Sequence, residues 1–123
     1  MFQNPMRSRF MNSYKTGLFS EWVARVFLMM HGFRIISNRY ITGRNTNRAE
    51  IDIIAKRGNL IIFVEVKHRK TLHAAWGAIS NPQIRRLRLA AETFLLKKRW
   101  TGEARFDVIA VHGLHIDWIK NAI

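Results

Sequence analysis

Apolar positions along the chain follow two different periods, and the switches between them mark out the elements. From about Thr16 to His31 they fall at helical spacing (Phe19, Trp22, Val23, Val26, Phe27, Met30), which predicts a helix burying that stripe. Gly32 follows where helices favour a left-handed residue, and ends it. Phe33–Ile41 reads as a strand and Thr42–Arg48 as a polar, basic loop. Ala49–Arg57 and Leu60–Arg69 are rich in β-branched residues and flank Gly58–Asn59, a two-residue hairpin signal. Residues 70–80 form a connector without a clear period. A second helix starts at Asn81–Pro82, with Asn81 as the cap and Pro82 at the first helical position. It runs to about Arg99 with Ile84, Leu87, Ala91, Phe94 and Leu95 inward. Ala104–Val111 is a further strand and Leu114–Ile119 a short final element. The order is αβββαβ plus a tail, an α/β chain. Residues 13–123 form one domain behind a flexible basic arm over residues 1–12, which carries Arg7 and Arg9.

The hairpin brings chemistry together. With Gly58–Asn59 as its turn, Arg57 faces Leu60, and counting back sets Asp52 opposite Glu65 and Glu50 opposite Lys67. Directly opposed residues have Cβ atoms roughly 4.5–5.5 Å apart. Period-two alternation gathers Glu50, Asp52, Glu65 and Lys67 on one face and turns Ile51, Ile53, Val64 and Val66 to the other. The apolar runs Ile53–Ala55 and Leu60–Val64 suggest burial on both faces, so the carboxylates repel where charge is costly. A hard divalent cation resolves the conflict, since Mg²⁺ is commonly held by one or two carboxylates with water and phosphate completing its shell. Lys67, two residues from Glu65, is placed to steady an attacking water or a phosphate in the transition state. An E-x-K pattern alone is more often a cross-strand ion pair. Here three of only eight acids in the chain meet at one spot, which shifts the balance towards a site.

Composition enlarges the picture in one respect above all. Twenty-one Lys and Arg oppose eight acids, a formal net charge of +13 and a pI near 11.5. A chain this basic attracts polyanions, and nucleic acid is the expected partner. Arg44 and Arg48, in the loop before the Asp52 strand, are the nearest phosphate contacts. Arg85, Arg86 and Arg88 near the start of the second helix are further ones, although a solvated helix face also explains them. The absence of cysteine excludes disulfides and thiolate-bound metals and suits the cytoplasm. No apolar run approaches a membrane span, so no membrane partner is expected. The histidines, including His112 and His115, lack zinc spacing. Trp22 reads as core and Asp107 as a structural hydrogen-bonding group.

At these residues the chain resembles a known family. A helix Glu, then E-I-D-I-I-A, then F-V-E-V-K with its Glu thirteen residues after the Asp, then R-R-L and R-F-D-V, resembles the YraN family from about Gly17 to Lys120. That family is similar to archaeal Holliday-junction resolvases, in the PD-(D/E)xK nuclease superfamily. The resemblance implies a restriction-endonuclease-like αβββαβ core with a mixed central sheet flanked by helices. It also implies an Mg²⁺ or Mn²⁺ ion on Asp52, Glu65 and the carbonyl of Val66, with Lys67 as catalytic lysine. Glu21 matches the additional acid of the resolvase-like branch. Ala49 stands where members usually have Gly, and Gln83 where many carry Lys. The expectation is a metal-dependent endonuclease acting on DNA, including branched or flapped forms. The alternative is a basic binding module that keeps the fold without catalysis. Resolvase-like enzymes are often symmetric dimers, so a homodimer is expected as well, although the sequence marks no dimer surface.

Overall fold

A computed structural model describes residues 5–43, 48–68 and 80–122, with side chains from residue 17 onward. The element order is α1 (Pro5–Met30), β1 (Arg34–Thr42), β2 (Ala49–Arg57), β3 (Leu60–His68), α2 (Asn81–Lys98), β4 (Glu103–His112) and β5 (His115–Ile119). The five strands form one mixed sheet in the order β1-β2-β3-β4-β5. Only the β3–β4 pair is parallel, starting at Leu60↔Glu103, and α2 makes the crossover that a parallel pair requires. This is the restriction-endonuclease-like α/β fold, with its tail added as a fifth strand.

Alternation along the central strands loads both sheet faces with apolar side chains. Ile53, Ala55, Ile62, Val64, Ile109 and Val111 meet Val23, Ala24 and Leu28 of α1 on one face. Ile54, Ile61 and Phe63 meet Leu87, Ala90, Ala91 and Phe94 of α2 on the other. Among the described residues no helix is long and apolar enough to cross a membrane.

Several boundaries and faces differ from expectation. The backbone of α1 is helical from Pro5, inside the stretch read as an arm, and proline suits the first helical turn. The buried side of α1 is Ser20, Val23, Ala24 and Leu28, while Phe19, Trp22 and Met30 are exposed. The helix is apolar around most of its circumference over residues 17–30, so periodicity did not select the face. Trp22 is therefore surface rather than core. The cap of α2 is Ser80, whose hydroxyl accepts from the Gln83 N–H at 3.3 Å, one residue before the expected Asn81. Gly32 does end α1, at φ 86°, and the Phe33 N–H closes back onto the Leu28 carbonyl.

Asp107 is structural, as read. Fully buried on β4, it accepts from Arg105 Nε at 2.9 Å, Trp118 Nε1 at 2.8 Å and the Asn121 N–H at 3.0 Å. Those bonds fasten β5 and the chain beyond it to the sheet.

Candidate functional site

The β2–β3 hairpin pairs in the expected register from Arg57↔Leu60 to Ile53↔Val64 and then stops. Asp52 and Glu65 are the next residues along, so the two strands part where the acids begin. Alternation on β2 also breaks there. Ile53 packs under α1, but Ile51, two residues away, packs under α2. The expectation that Ile51 shares a face with Ile53, Val64 and Val66 is thus overturned. On β1, Asn38↔Ile53 and Tyr40↔Ile51 bracket Arg39, which stands across from Asp52 with φ 55°. A left-handed backbone at a non-glycine residue stores strain, and such strain collects at functional sites. Both strands turn over together at this point.

The opening receives side chains from both layers. Glu21 of α1, Arg39 of β1, Arg48, Glu50 and Asp52 around the start of β2, Glu65 of β3, and Gln83 and Arg86 of α2 line one cavity of about 450 Å³. Four of the chain's eight acids thus share one cavity. The Asp52 carboxylate accepts the Val66 N–H at 2.8 Å, satisfying a backbone donor that the ended ladder leaves behind. Glu65 is 7% exposed. Its Oε1 lies 3.2 Å from Lys67 Nζ, and its buried Oε2 has no hydrogen-bond partner. Glu21 is ion-paired with Arg39 at 3.3 Å.

Burial and mutual repulsion set the electrostatics. Removal from water pushes the Asp52 carboxyl up to about 7, and the charge of Glu65 adds to the rise. The Val66 N–H opposes it. Glu65 is raised too, chiefly by burial, with Lys67 pulling the other way. Two reluctant carboxylates and one unpaired buried oxygen make a donor set that a hard cation would suit. Among the described residues no three His, Asp or Glu side chains converge closely enough to hold an ion by themselves. A backbone oxygen such as that of Val66 is the natural complement, since Mg²⁺ takes few protein ligands and keeps its waters.

The predicted residues Glu21, Asp52, Glu65 and Lys67 are brought together. Glu50 lines the cavity, but the β2–β3 ladder ends at Ile53↔Val64 and the Lys67 ammonium lies on Glu65, so the expected Glu50–Lys67 pairing is corrected. Arg48 lies at the cavity, whereas Arg44 falls outside the described residues. Arg85 lines a shallow surface hollow with Pro82 and Leu89. Arg88 flanks an apolar recess beside Phe63 and Phe106. Neither faces the acids. The cation on α2 that does is Arg86. Arg39 is the main residue that sequence reading missed, because no propensity rule marks an arginine that will adopt a left-handed conformation in a strand.

This geometry can be set beside known proteins. The model of the Uncharacterised protein family UPF0102 matches residues 20–111. The chain belongs to the UPF0102 family, also called YraN. UPF0102 protein mlr4633 of Mesorhizobium japonicum is 40% identical over 113 residues, covering 90% of this chain and 86% of its own length. UPF0102 protein VP0448 of Vibrio parahaemolyticus is 38% identical over 109 residues, or 84% and 87% of the two chains. A Vibrio cholerae UPF0102 protein is 35% identical over 121 residues, or 93% and 96%. The UPF0102 match takes in Glu21, the whole β2–β3 hairpin and α2, and so all the cavity-lining residues.

Proposed function

We propose that this chain is a metal-dependent endonuclease of the PD-(D/E)xK kind that hydrolyses phosphodiester bonds in DNA. The observation that carries the reading is the buried, unpartnered Oε2 of Glu65 beside a carboxyl raised to about 7, at the point where the hairpin opens. Folding keeps that pair only at a cost, and occupation by a cation removes it. Asp52, Glu65 and the Val66 carbonyl are the groups that would hold Mg²⁺ or Mn²⁺. Such an ion supplies charge stabilisation at the phosphate and a bound water of lowered pKa.

The chain's own residues do the rest. Lys67, its ammonium close to Glu65, donates to the attacking water or to a phosphoryl oxygen. Arg39, Arg48 and Arg86 rim the acids, so a phosphate arriving at the cavity meets positive charge before negative. Glu21 holds Arg39 in place. The resolvase-like branch of the superfamily supports branched or flapped DNA as substrate.

The test compares cleavage with binding. Asp52→Asn and Glu65→Gln should abolish cleavage in Mg²⁺ or Mn²⁺ while leaving gel-shift affinity for DNA, measured without a cleaving metal, unchanged or tighter. Each removes a charge that both holds the ion and repels the backbone. Lys67→Ala should lower the rate by about 10²–10³-fold, the range for loss of one preorganised donor, and largely spare metal binding. A wild-type protein that cuts neither DNA nor RNA with any divalent metal, yet binds as well as its variants, would replace this reading with a non-catalytic binding module.

A further inference from the structure

We propose that Ser20 and His68 are positioning residues for the cleavage reaction, an inference that rests on the nuclease reading. Their hydrogen bond clamps α1 to the end of β3, so that Glu21 and Lys67 keep fixed places about Glu65. Among the described residues three polar or charged side chains are buried: Asp107, Glu65 and Ser20. Asp107 fastens β5, and Glu65 belongs to the cavity. Ser20, 2% exposed, has its hydroxyl 3.2 Å from His68 Nδ1, 48 residues further along the chain. Both residues stand beside the site without lining it. Ser20 precedes Glu21, and His68 follows Lys67. One bond therefore joins, a single residue away from each, the acid that α1 brings to the cavity and the ammonium that lies on Glu65.

The end of β3 needs such a tether. It pairs with β2 only as far as Val64, and beyond that its ladder partner among the described residues is β4, continuing to His68↔Val111. A strand bonded on one side can lean towards the side that has opened, and Glu65 and Lys67 lie on that length. The helix has a matching need. Its buried contacts with the sheet are Val23, Ala24 and Leu28, all beyond Glu21 in the chain. Apolar contacts are non-directional, whereas a hydrogen bond fixes both distance and angle. The bond at Ser20 thus carries the attachment of α1 past Glu21. His68 is itself steadied by His112 of β4, whose ring stacks on it at 5.8 Å and 28°.

Glu65 feels both of the groups that the clamp places. The Lys67 charge pulls its pKa down and the Glu21 charge adds to the rise, so movement of either alters the acid pair. Ser20 is too deeply buried to touch a substrate. Any effect it has on the chemistry passes through its neighbours, and a shift of about 1 Å can cost as much as about 10²-fold in rate.

The test is single-turnover cleavage of a flapped DNA duplex and a four-way DNA junction in Mg²⁺, with gel-shift affinity in Ca²⁺ alongside. Ser20→Ala and His68→Ala should each lower the rate by about 10–100-fold and leave affinity unchanged. The double variant should be no slower than the slower single one, since each removes the same bond. His68→Asn should recover most of the rate, because its amide offers a donor or an acceptor at the reach of Nδ1. Circular dichroism melts establish that each variant is folded at the assay temperature. A folded Ser20→Ala protein that cuts at the wild-type rate overturns the proposal and leaves the nuclease reading standing. So do losses that multiply in the double variant, rate and affinity that fall together, or a His68→Asn protein as slow as His68→Ala. A wild type that cuts neither DNA overturns the nuclease reading, and this proposal with it.

Discussion

Asp52 is held where a carboxylate is hardest to keep charged, between burial and the charge of Glu65, with the Val66 N–H and, more weakly, the charge of Lys67 in compensation. The sign of its contribution to stability follows. A folded-state carboxyl at about 7, above its ordinary 3.8, favours the protonated form. Its destabilising effect is therefore absent below about pH 4, grows as pH rises to about 7, and is constant above that. Asp52→Asn should melt close to wild type near pH 4. In metal-free buffer at pH 8 it should be more stable by about 2–4 kcal/mol, a range discounted for the water that reaches the cavity. Thermal melts at the two pH values check this, and a gain of equal size at both would contradict the assignment. Ion binding requires the deprotonated carboxylates, so Mg²⁺ affinity should also rise across the same pH interval.

At the scale of elements, the hairpin was the most legible part of the chain. Gly58–Asn59 supplies the turn, β-branched residues supply the strands, and register then follows by counting. Counting failed at Asp52, where strand alternation reverses on β1 and β2 together. That reversal depends on tertiary packing, with Ile51 drawn under α2 and Ile53 under α1, and local propensity carries no trace of it. The site residues were legible because three acids and a lysine are rare in so basic a chain. Arg39 was not, and Arg86 could not be told from Arg85 and Arg88, because one arginine among many carries no mark of position. The final strand was read only as a short element, since its anchor lies on β4. Asp107→Ala would leave the Trp118 and Asn121 donors and the Arg105 charge without their acceptor. It should cost about 3–5 kcal/mol, as for other broken buried ion pairs. Amide exchange at His115–Ile119 should accelerate more than that of the β2–β3 hairpin, whereas equal acceleration throughout would mean that Asp107 holds the whole fold.

On the scale of the whole molecule, charge is distributed by role. Four of the eight acids gather in the cavity, and Arg39, Arg48 and Arg86 line it beside them. Non-specific duplex binding should weaken steeply with salt, log K falling by about 0.9 per log unit of salt for each phosphate neutralised. Arg48→Ala or Arg86→Ala should each lower that slope by about one contact, measured by fluorescence anisotropy across a salt series. An unchanged slope would place the bound backbone away from the cavity.

The end of the β2–β3 ladder at Ile53↔Val64 also bears on when things happen during folding. The hairpin can close locally from Gly58–Asn59, whereas β3–β4 pairing must wait for the α2 crossover to deliver Glu103 to Leu60. Asp52 and Glu65 lie at the far end of the hairpin from its turn, and their burial needs both helices packed on the sheet, so their repulsion is expected to be met late in folding. Interactions that form after the barrier govern the rate of unfolding and hardly touch the rate of folding. Asp52→Asn should therefore slow unfolding in metal-free buffer while leaving the folding rate nearly unchanged, as stopped-flow folding and unfolding rates would show, and equal changes in both would place the acid contact before the barrier.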